Sequence, residues 1–381
     1  MTDPEPTSGH GPARGDADRR GAGVPQILEA EKSSPLQRLV RIILTLLLVY
    51  LIFGVLIPSF ASYEEVWDAL TSLTPRAVLV LALLTVGVES CKAGSYALLI
   101  AGLGFWRAFL AQESAAVVSN TVPGPSGTAA RYLTYRKYGI SSEDFGTSYV
   151  VNSAVSNAVP LVMPCFGLAL LSLQRDIPGR VLTLALIGLA VSVVAFVLAV
   201  VIVRSERNAY RLGEWFGRLL NWARGLVRRP PAEEVGQAVV QFRFEVVDTV
   251  RSRWASLTTV VVLREVLTYL VLLVSLRALG AGRVELSAIE VFAVYTVVRL
   301  ATLIEITPGN VGITEALYIS ALTWASEGRS EDIIVAGVFV FRMFTYLGPI
   351  LLGGICSVVL SRMFRRGTAV VAAGETADRG G

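Results

Sequence analysis

The stretch Ile306-Thr307-Pro308-Gly309-Asn310-Val311-Gly312-Ile313, with Glu315 just beyond it, decides the reading of this chain. It lies between two apolar arms, 286–306 and 313–325, and its proline and glycines interrupt helical hydrogen bonding between them. A twin stands about 185 residues earlier: Thr121-Val122-Pro123-Gly124-Pro125-Ser126-Gly127-Thr128, with Arg131 close behind. About twenty residues after each break comes Ser-Glu-Asp, first as Ser142-Glu143-Asp144 and then as Ser330-Glu331-Asp332. Each Ser-Glu-Asp opens a long apolar run. Two breaks with matched flanks imply an internal duplication.

The composition says where such a duplication resides. Of the 381 residues, 53% are hydrophobic and 17% charged, against about 25% charged in a soluble domain. The mean hydropathy is +0.59. A soluble enzyme would need polar surface that this chain lacks, and disordered, collagenous and disulfide-scaffold classes are excluded with it. Cys91, Cys165 and Cys356 sit in apolar runs without pairing spacing and read as small hydrophobes. The only histidine, His10, lies in a polar stretch, which excludes a histidine-based metal site or triad within this sequence. No cofactor and no metal are expected.

Apolar runs of spanning length occupy 39–57, 77–103, 145–173, 181–203, 257–276 and 333–360. Residues 1–38 read as a disordered tail without the apolar core of a signal peptide, 39–363 as the membrane domain and 364–381 as a second tail. Segment 204–253 carries ten Arg, no Lys and six acids, and 210–227 alternates apolar and basic residues at helical spacing. That pattern suits a surface helix drawn to anionic lipid rather than to nucleic acid, for which no zinc spacing or aromatic–basic module is present.

Arginine-rich segments flank 39 and 360 and fill 204–253, so these sides and both termini are placed in the cytoplasm of a plasma-membrane protein. The loop 58–75 holds Glu64, Glu65 and Asp68 without Lys or Arg and is placed outside. Freed backbone groups in lipid must be buried in protein or line a polar cavity. Arms of about 13–20 residues reach the midplane and return at about 1.5 Å per residue, so each break reads as the tip of a re-entrant hairpin. Counting spans from a cytoplasmic N-terminus brings the first hairpin in from the cytoplasm and the second from outside. The expected fold is an all-α polytopic bundle with two re-entrant helical hairpins in an inverted repeat.

Charged side chains inside the apolar segments mark a polar path, because each costs about 2.5–3.5 kcal/mol to insert. Glu89 and Lys92 share a helix face and are able to pair; Glu113 precedes the first break and Arg131 follows it. Arg264 and Glu265 are adjacent but point about 100° apart on a helix. Arg299 and Glu305 precede the second break, Glu315 follows it, and Arg342 lies in the last run. Structural ion pairing is the competing reading for all of them. Gly124, Gly127, Gly309 and Gly312 permit positive φ and close backbone approach, and N–H groups freed at a helix start suit a phosphate, with a plain tight turn as the alternative. Asn120 and Asn310 are placed to satisfy freed backbone, and Tyr132, Tyr135 and Tyr138 read as an interfacial aromatic belt.

The paired motifs 121–131 and 306–315, with Glu113 upstream and the Ser-Glu-Asp helices downstream, resemble the flippase-like membrane region of the lysylphosphatidylglycerol synthase family over about 40–365. TPGNVGITEA is the more specific motif. Asn310 and Val311 depart from the glycine-rich break usual in the family, whereas the break followed by Arg is kept at Arg131. The resemblance implies translocation of a lipid or lipid-linked molecule. Only about twenty residues follow Leu360, so the synthases' aminoacyl transfer is not carried over. In this reading the chain is not an enzyme. Arg131, Gly124, Gly127, Arg299, Gly309, Asn310, Gly312 and Glu315 would meet the headgroup. Glu89, Lys92, Glu113, Arg264, Glu265, Glu305 and Arg342 would form the polar or coupling path. A membrane scaffold docking through 204–253, an intramembrane lipid-modifying enzyme relying on carboxylates, and assembly with itself or a membrane partner stay open.

Overall fold

Short polar caps start the helices where the sequence allows them to. In the computed structural model, described for residues 71–121, 125–174, 235–280, 286–303, 308–329 and 331–378, Thr74 opens helix α1 (Pro75–Leu99). Its hydroxyl accepts from the Ala77 N–H at 3.3 Å, with Pro75 in the first turn. Helices α2 (Phe105–Thr121) and α3 (Ser126–Lys137) flank the first break. Ser141 caps α4 (Ser142–Ser172) by accepting from Asp144 N–H at 2.9 Å, so the first Ser-Glu-Asp is a helix start. Helix α5 (Val235–Ala278) follows, then α6 (Ala288–Ala301), opened by a reciprocal Ser287–Glu290 capping box. A short 3₁₀ turn (Pro308–Asn310) leads into α7 (Ile313–Ala325). The second Ser-Glu-Asp starts α8 (Glu331–Arg342), which passes through a π turn (Met343–Leu347) into α9 (Gly348–Asp378).

Among the described residues every regular element is helical. Four helices are long and apolar enough to cross a membrane: Pro75–Leu99, Ser142–Ser172, Arg253–Ala278 and Glu331–Phe364. They coincide with the apolar runs read from the sequence at 77–103, 145–173, 257–276 and 333–360. Large apolar side chains face outward on them: Leu83 is 62% exposed, Phe166 63% and Leu351 69%. An apolar exterior of this kind belongs against lipid, and the chain is a membrane protein. The runs at 39–57 and 181–203, the 1–38 segment and the amphipathic stretch 210–227 lie outside the described residues.

Helix α5 begins at Val235, so a continuous helix carries the last part of the arginine-rich segment into the span. Helix α9 likewise continues to Asp378, past the end of the apolar run at 360. The intervening residues hold no proline, and alanine recurs through 369–377, which favours helix.

Lipid tails are as apolar as leucine, so close packing rather than the hydrophobic effect joins these helices. Helix α1 packs along α5, α2 along α9, and α6 along α4. Small residues make the contacts. A Cβ at Gly353 of α9 would stand 2.2 Å from the Glu113 carbonyl oxygen of α2, and one at Gly167 of α4 would stand 2.5 Å from Thr296 Oγ1 of α6. One core gathers Leu272, Leu276, Tyr295, Leu322, Ile334 and Val338; a second gathers Tyr96, Leu110, Tyr135, Phe145 and Leu360.

The π turn has a local cause. Pro349 has no N–H to return to the preceding turn, and Gly348 N–H bonds instead to the Met343 carbonyl five residues back. Thr345 Oγ1 also donates to the Phe341 carbonyl at 2.8 Å. A widened turn in a membrane helix often marks a functional position, and Tyr346 is presented from this one.

Candidate functional site

The second break is built around left-handed backbone. Gly309 has φ +59°, Asn310 +50° and Gly312 +87°. Asn310 Nδ2 donates to the Thr302 carbonyl at 2.8 Å and so satisfies the end of α6, as the sequence suggested. Glu315 Oε2 accepts from the Gly312 N–H at 2.6 Å. The first turn of α7 therefore already holds an anion, the chain's own carboxylate. The expected phosphate site at this helix start is filled from within. Arg342 of α8 completes the arrangement: its Nε lies 2.5 Å from Glu315 Oε1, and its Nη2 donates to the Gly309 carbonyl at 2.8 Å. Glu315 is 5% exposed, so the ion pair is buried.

The end of α2, at the residue before the first motif, meets the second break. Tyr346, whose ring lies under the Arg342 guanidinium at 5.3 Å, donates its hydroxyl to the Asn120 carbonyl at 2.8 Å. A Cβ on Gly309 would stand 2.6 Å from the Tyr346 ring and 3.6 Å from Asn120 Oδ1. Motifs about 185 residues apart in sequence thus touch. The first break differs in its chemistry. Gly127 does not adopt positive φ; it lies in α3 and lets that helix cross α2, with a Cβ there only 2.5 Å from Ser119 Cβ. No side chain caps α3, and its first turn holds no acid.

Behind the first break lies a buried polar cluster. Lys92 Nζ pairs with Glu89 Oε1 at 2.8 Å. Glu113 is fully buried, and both its carboxylate oxygens, like Glu89 Oε2, meet no hydrogen-bond donor. Its charged neighbours are Glu89, Lys92 and Arg131. Arg131 reaches across to α1, where Nη1 donates to Tyr96 Oη at 2.6 Å and the guanidinium stacks on the Tyr96 ring at 4.7 Å. Its Nε is buried without an acceptor. Seven of the eleven buried side-chain polar atoms without partners, among the described residues, lie on α1–α3, and an eighth is on Tyr138 just after α3.

The three tyrosines of α3 do not form a belt. Tyr135 is fully buried against Tyr96 and Phe145. Tyr132 Oη shares a hydrogen bond with Ser142 Oγ at 2.8 Å, and Tyr138 packs at a tilt against Phe364 beneath Arg107. Tyr135 thus serves packing, while Tyr132 and Tyr138 are half-buried against protein.

A second cluster centres on Glu265. Arg264 Nη2 reaches Glu265 Oε1 at 2.7 Å, Arg299 Nε reaches Oε2 at 3.0 Å, and Tyr295 donates to Oε2 at 2.6 Å. Arg264 also donates to Ser156 on α4 at 3.2 Å. Adjacent helical side chains point apart, yet the long arginine folds back onto its neighbour, so Arg264 and Glu265 do share a role. Together two arginines and a tyrosine tie α5 to α6 and α4. The Arg299 guanidinium is committed there.

Four groupings emerge: Glu89, Lys92, Glu113 and Arg131; Gly309, Asn310, Gly312, Glu315 and Arg342; Arg264, Glu265 and Arg299; and Gly127 on Ser119. Gly124 and Glu305 lie outside the described residues. Tyr96, Tyr295 and Tyr346 were not singled out from sequence. Only the π-turn dipeptide Gly348-Pro349, just after Tyr346, hinted at one of them. No group of three or more metal-ligating side chains gathers among the described residues.

Comparison with known proteins adds the family. No match is found among curated proteins. The family model described as the lysylphosphatidylglycerol synthase TM region matches residues 39–353, which include both breaks and all the polar groupings. The chain belongs to the family of the lysylphosphatidylglycerol synthase transmembrane region.

Proposed function

We propose that this protein translocates a lipid or lipid-linked molecule with an anionic or zwitterionic headgroup between the leaflets of the plasma membrane, without covalent chemistry. The observation that carries the reading is the meeting of the two breaks at Asn120, Gly309 and Tyr346. In secondary transporters, broken helices of two inverted repeats meet at a substrate site near the midplane. The packing supports such a repeat, because α2 lies on α9 while its counterpart α6 lies on α4. On this reading α2–α3 and α6–α7 are re-entrant hairpins from opposite sides, both termini are cytoplasmic, and segment 204–253 rests on anionic lipid.

The two breaks have unequal tasks. The second is internally neutralised by Glu315 and Arg342. The first has an uncapped helix start, no acid in its first turn and Arg131 with an unpartnered Nε. A phosphate therefore suits the first break, with the second as the surface against which the headgroup slides.

The test is leaflet translocation in proteoliposomes with fluorescent phosphatidylglycerol, lysylphosphatidylglycerol and a polyprenyl-phosphate lipid. Protein-dependent flipping that falls at least about tenfold in Arg131→Ala is expected for a buried charged contact worth about 1.5–3 kcal/mol. Flipping at the wild-type rate in Arg131→Ala removes the headgroup from the first break. No flipping of any of the three lipids by folded protein overturns the translocase reading.

A further inference from the structure

We infer that Glu113, beside the Glu89 carboxylate, is a buried proton site, and that proton occupancy there sets the charge that Arg131 offers to a substrate anion. The inference rests on the translocase reading for its consequence, but the site stands on its own geometry.

Glu113 projects from α2 into a region closed by α1, α3 and α9. The charged groups that act on it are Glu89 and Lys92 from α1 and Arg131 from α3; the Cys356 thiol of α9 lies within its field, and the Gly353 backbone packs directly on the Glu113 carbonyl. Both carboxyl groups are almost fully buried, Glu89 at 1% and Glu113 at 0% exposure. Lys92 is committed to Glu89 Oε1. The oxygens left over are Glu89 Oε2 and both of Glu113, and none has a donor. The two groups are close enough to hydrogen-bond to each other once one carries a proton.

A buried carboxyl without a donor, set beside a second buried carboxylate, favours its protonated form, because burial and a like-charged neighbour both disfavour the anion. That proton supplies the missing donor for Glu89 Oε2. An independent sign that the region exchanges a ligand lies one helix away. Tyr135 is fully buried with its hydroxyl unpartnered, and Arg131, its charged neighbour, has an unpartnered Nε. A built structural network leaves no such row of open donors and acceptors.

The charge count gives the consequence. With Glu113 ionised, Glu89, Glu113, Lys92 and Arg131 sum to zero. With the proton bound they sum to plus one, and Arg131 faces a neutral carboxyl. A substrate phosphate at Arg131 and a proton on Glu113 therefore favour each other, which couples anion passage to proton passage in the same direction.

Infrared difference spectroscopy of purified full-length protein tests the site without transport. Wild type at neutral pH is expected to show a carboxylic-acid carbonyl band that vanishes on alkaline titration. The band should be missing in Glu113→Gln and should titrate away at lower pH in Glu89→Gln, where Glu113 loses its like-charged neighbour and Lys92 loses its partner. A wild type without the band, or an unchanged band in Glu113→Gln, overturns the proton site. In proteoliposomes, an imposed pH gradient should change wild-type phosphatidylglycerol flipping at least about fivefold and leave Glu113→Gln flipping unchanged. A gradient response preserved in Glu113→Gln, or flipping driven by a sodium gradient at clamped pH, overturns the coupling. Wild type that flips nothing yet shows the titrating band removes the translocase reading and leaves the proton site standing. The wild-type titration needs no variant, so it decides the matter if Glu113→Gln does not fold.

Discussion

Arg342 holds a carboxylate, a carbonyl and an aromatic ring together, and its loss strands two of them. Without it Glu315 is left as a buried charge and the Gly309 carbonyl loses its donor. Breaking such a pair by removing one partner costs about 3–5 kcal/mol. Arg342→Ala should therefore lower the unfolding midpoint in detergent by several degrees, read by fluorescence-detected unfolding. The double change Arg342→Met with Glu315→Leu should cost less than either Arg342→Ala or Glu315→Leu alone, because no charge is orphaned. Gly309→Ala is expected to be worse than its size suggests. It meets about 1–2 kcal/mol of left-handed backbone strain and a Cβ 2.6 Å from the Tyr346 ring. The same change combined with Tyr346→Ala should recover the steric part and keep the strain, which the two unfolding midpoints separate.

At the scale of elements, a neighbouring pair of glycines on α9 gives an internal control. Gly353 lies against the Glu113 backbone, whereas a Cβ at Gly354 meets nothing within 4 Å. Gly353→Ala should force α9 away from α2 and lower stability, while Gly354→Ala should be neutral or gain up to about 1 kcal/mol from helix propensity. Paired unfolding curves check this. The elements were legible in sequence where their causes are local. The second Pro-Gly break stops its helix through a proline without an N–H and left-handed turn residues. The first Ser-Glu-Asp starts a helix through its Ser141 cap, and the described spans follow from apolar length. What sequence did not reveal depends on which helix lies beside which. Tyr96 meets Arg131 only because α1 packs beside α3, and Tyr346 reaches Asn120 only because α8 and α9 carry it to the end of α2. Tyr135 looked interfacial because α3 is polar in composition, yet other helices cover it. Arg264 and Glu265 misled in the opposite direction, since direction from the backbone ignores the reach of an arginine.

For the whole molecule, the proposed inverted repeat makes a geometric demand that labelling can meet. Lys137 ends α3 and Glu327 follows α7, and both are exposed. In hairpins that enter from opposite sides these ends face opposite compartments. With Cys91, Cys165 and Cys356 replaced by serine, a membrane-impermeant thiol reagent should label Glu327→Cys in intact cells and Lys137→Cys only in inverted vesicles. Labelling of both from one side removes the inverted repeat and leaves a parallel arrangement of the two halves.

The link between the halves has a mechanical meaning. Within the second break an ion pair and two charge-assisted hydrogen bonds hold Glu315, Arg342 and the turn together. Across the seam, at Asn120, the described hydrogen bond is a single neutral one from Tyr346. Such a bond is worth about 1 kcal/mol, roughly a fivefold shift in population, against several kcal/mol for the buried pair. That hydrogen bond therefore breaks long before the second tip unravels. The molecule thus has a weak fuse beside one strong knot, and on the translocase proposal a cargo meets the fuse first.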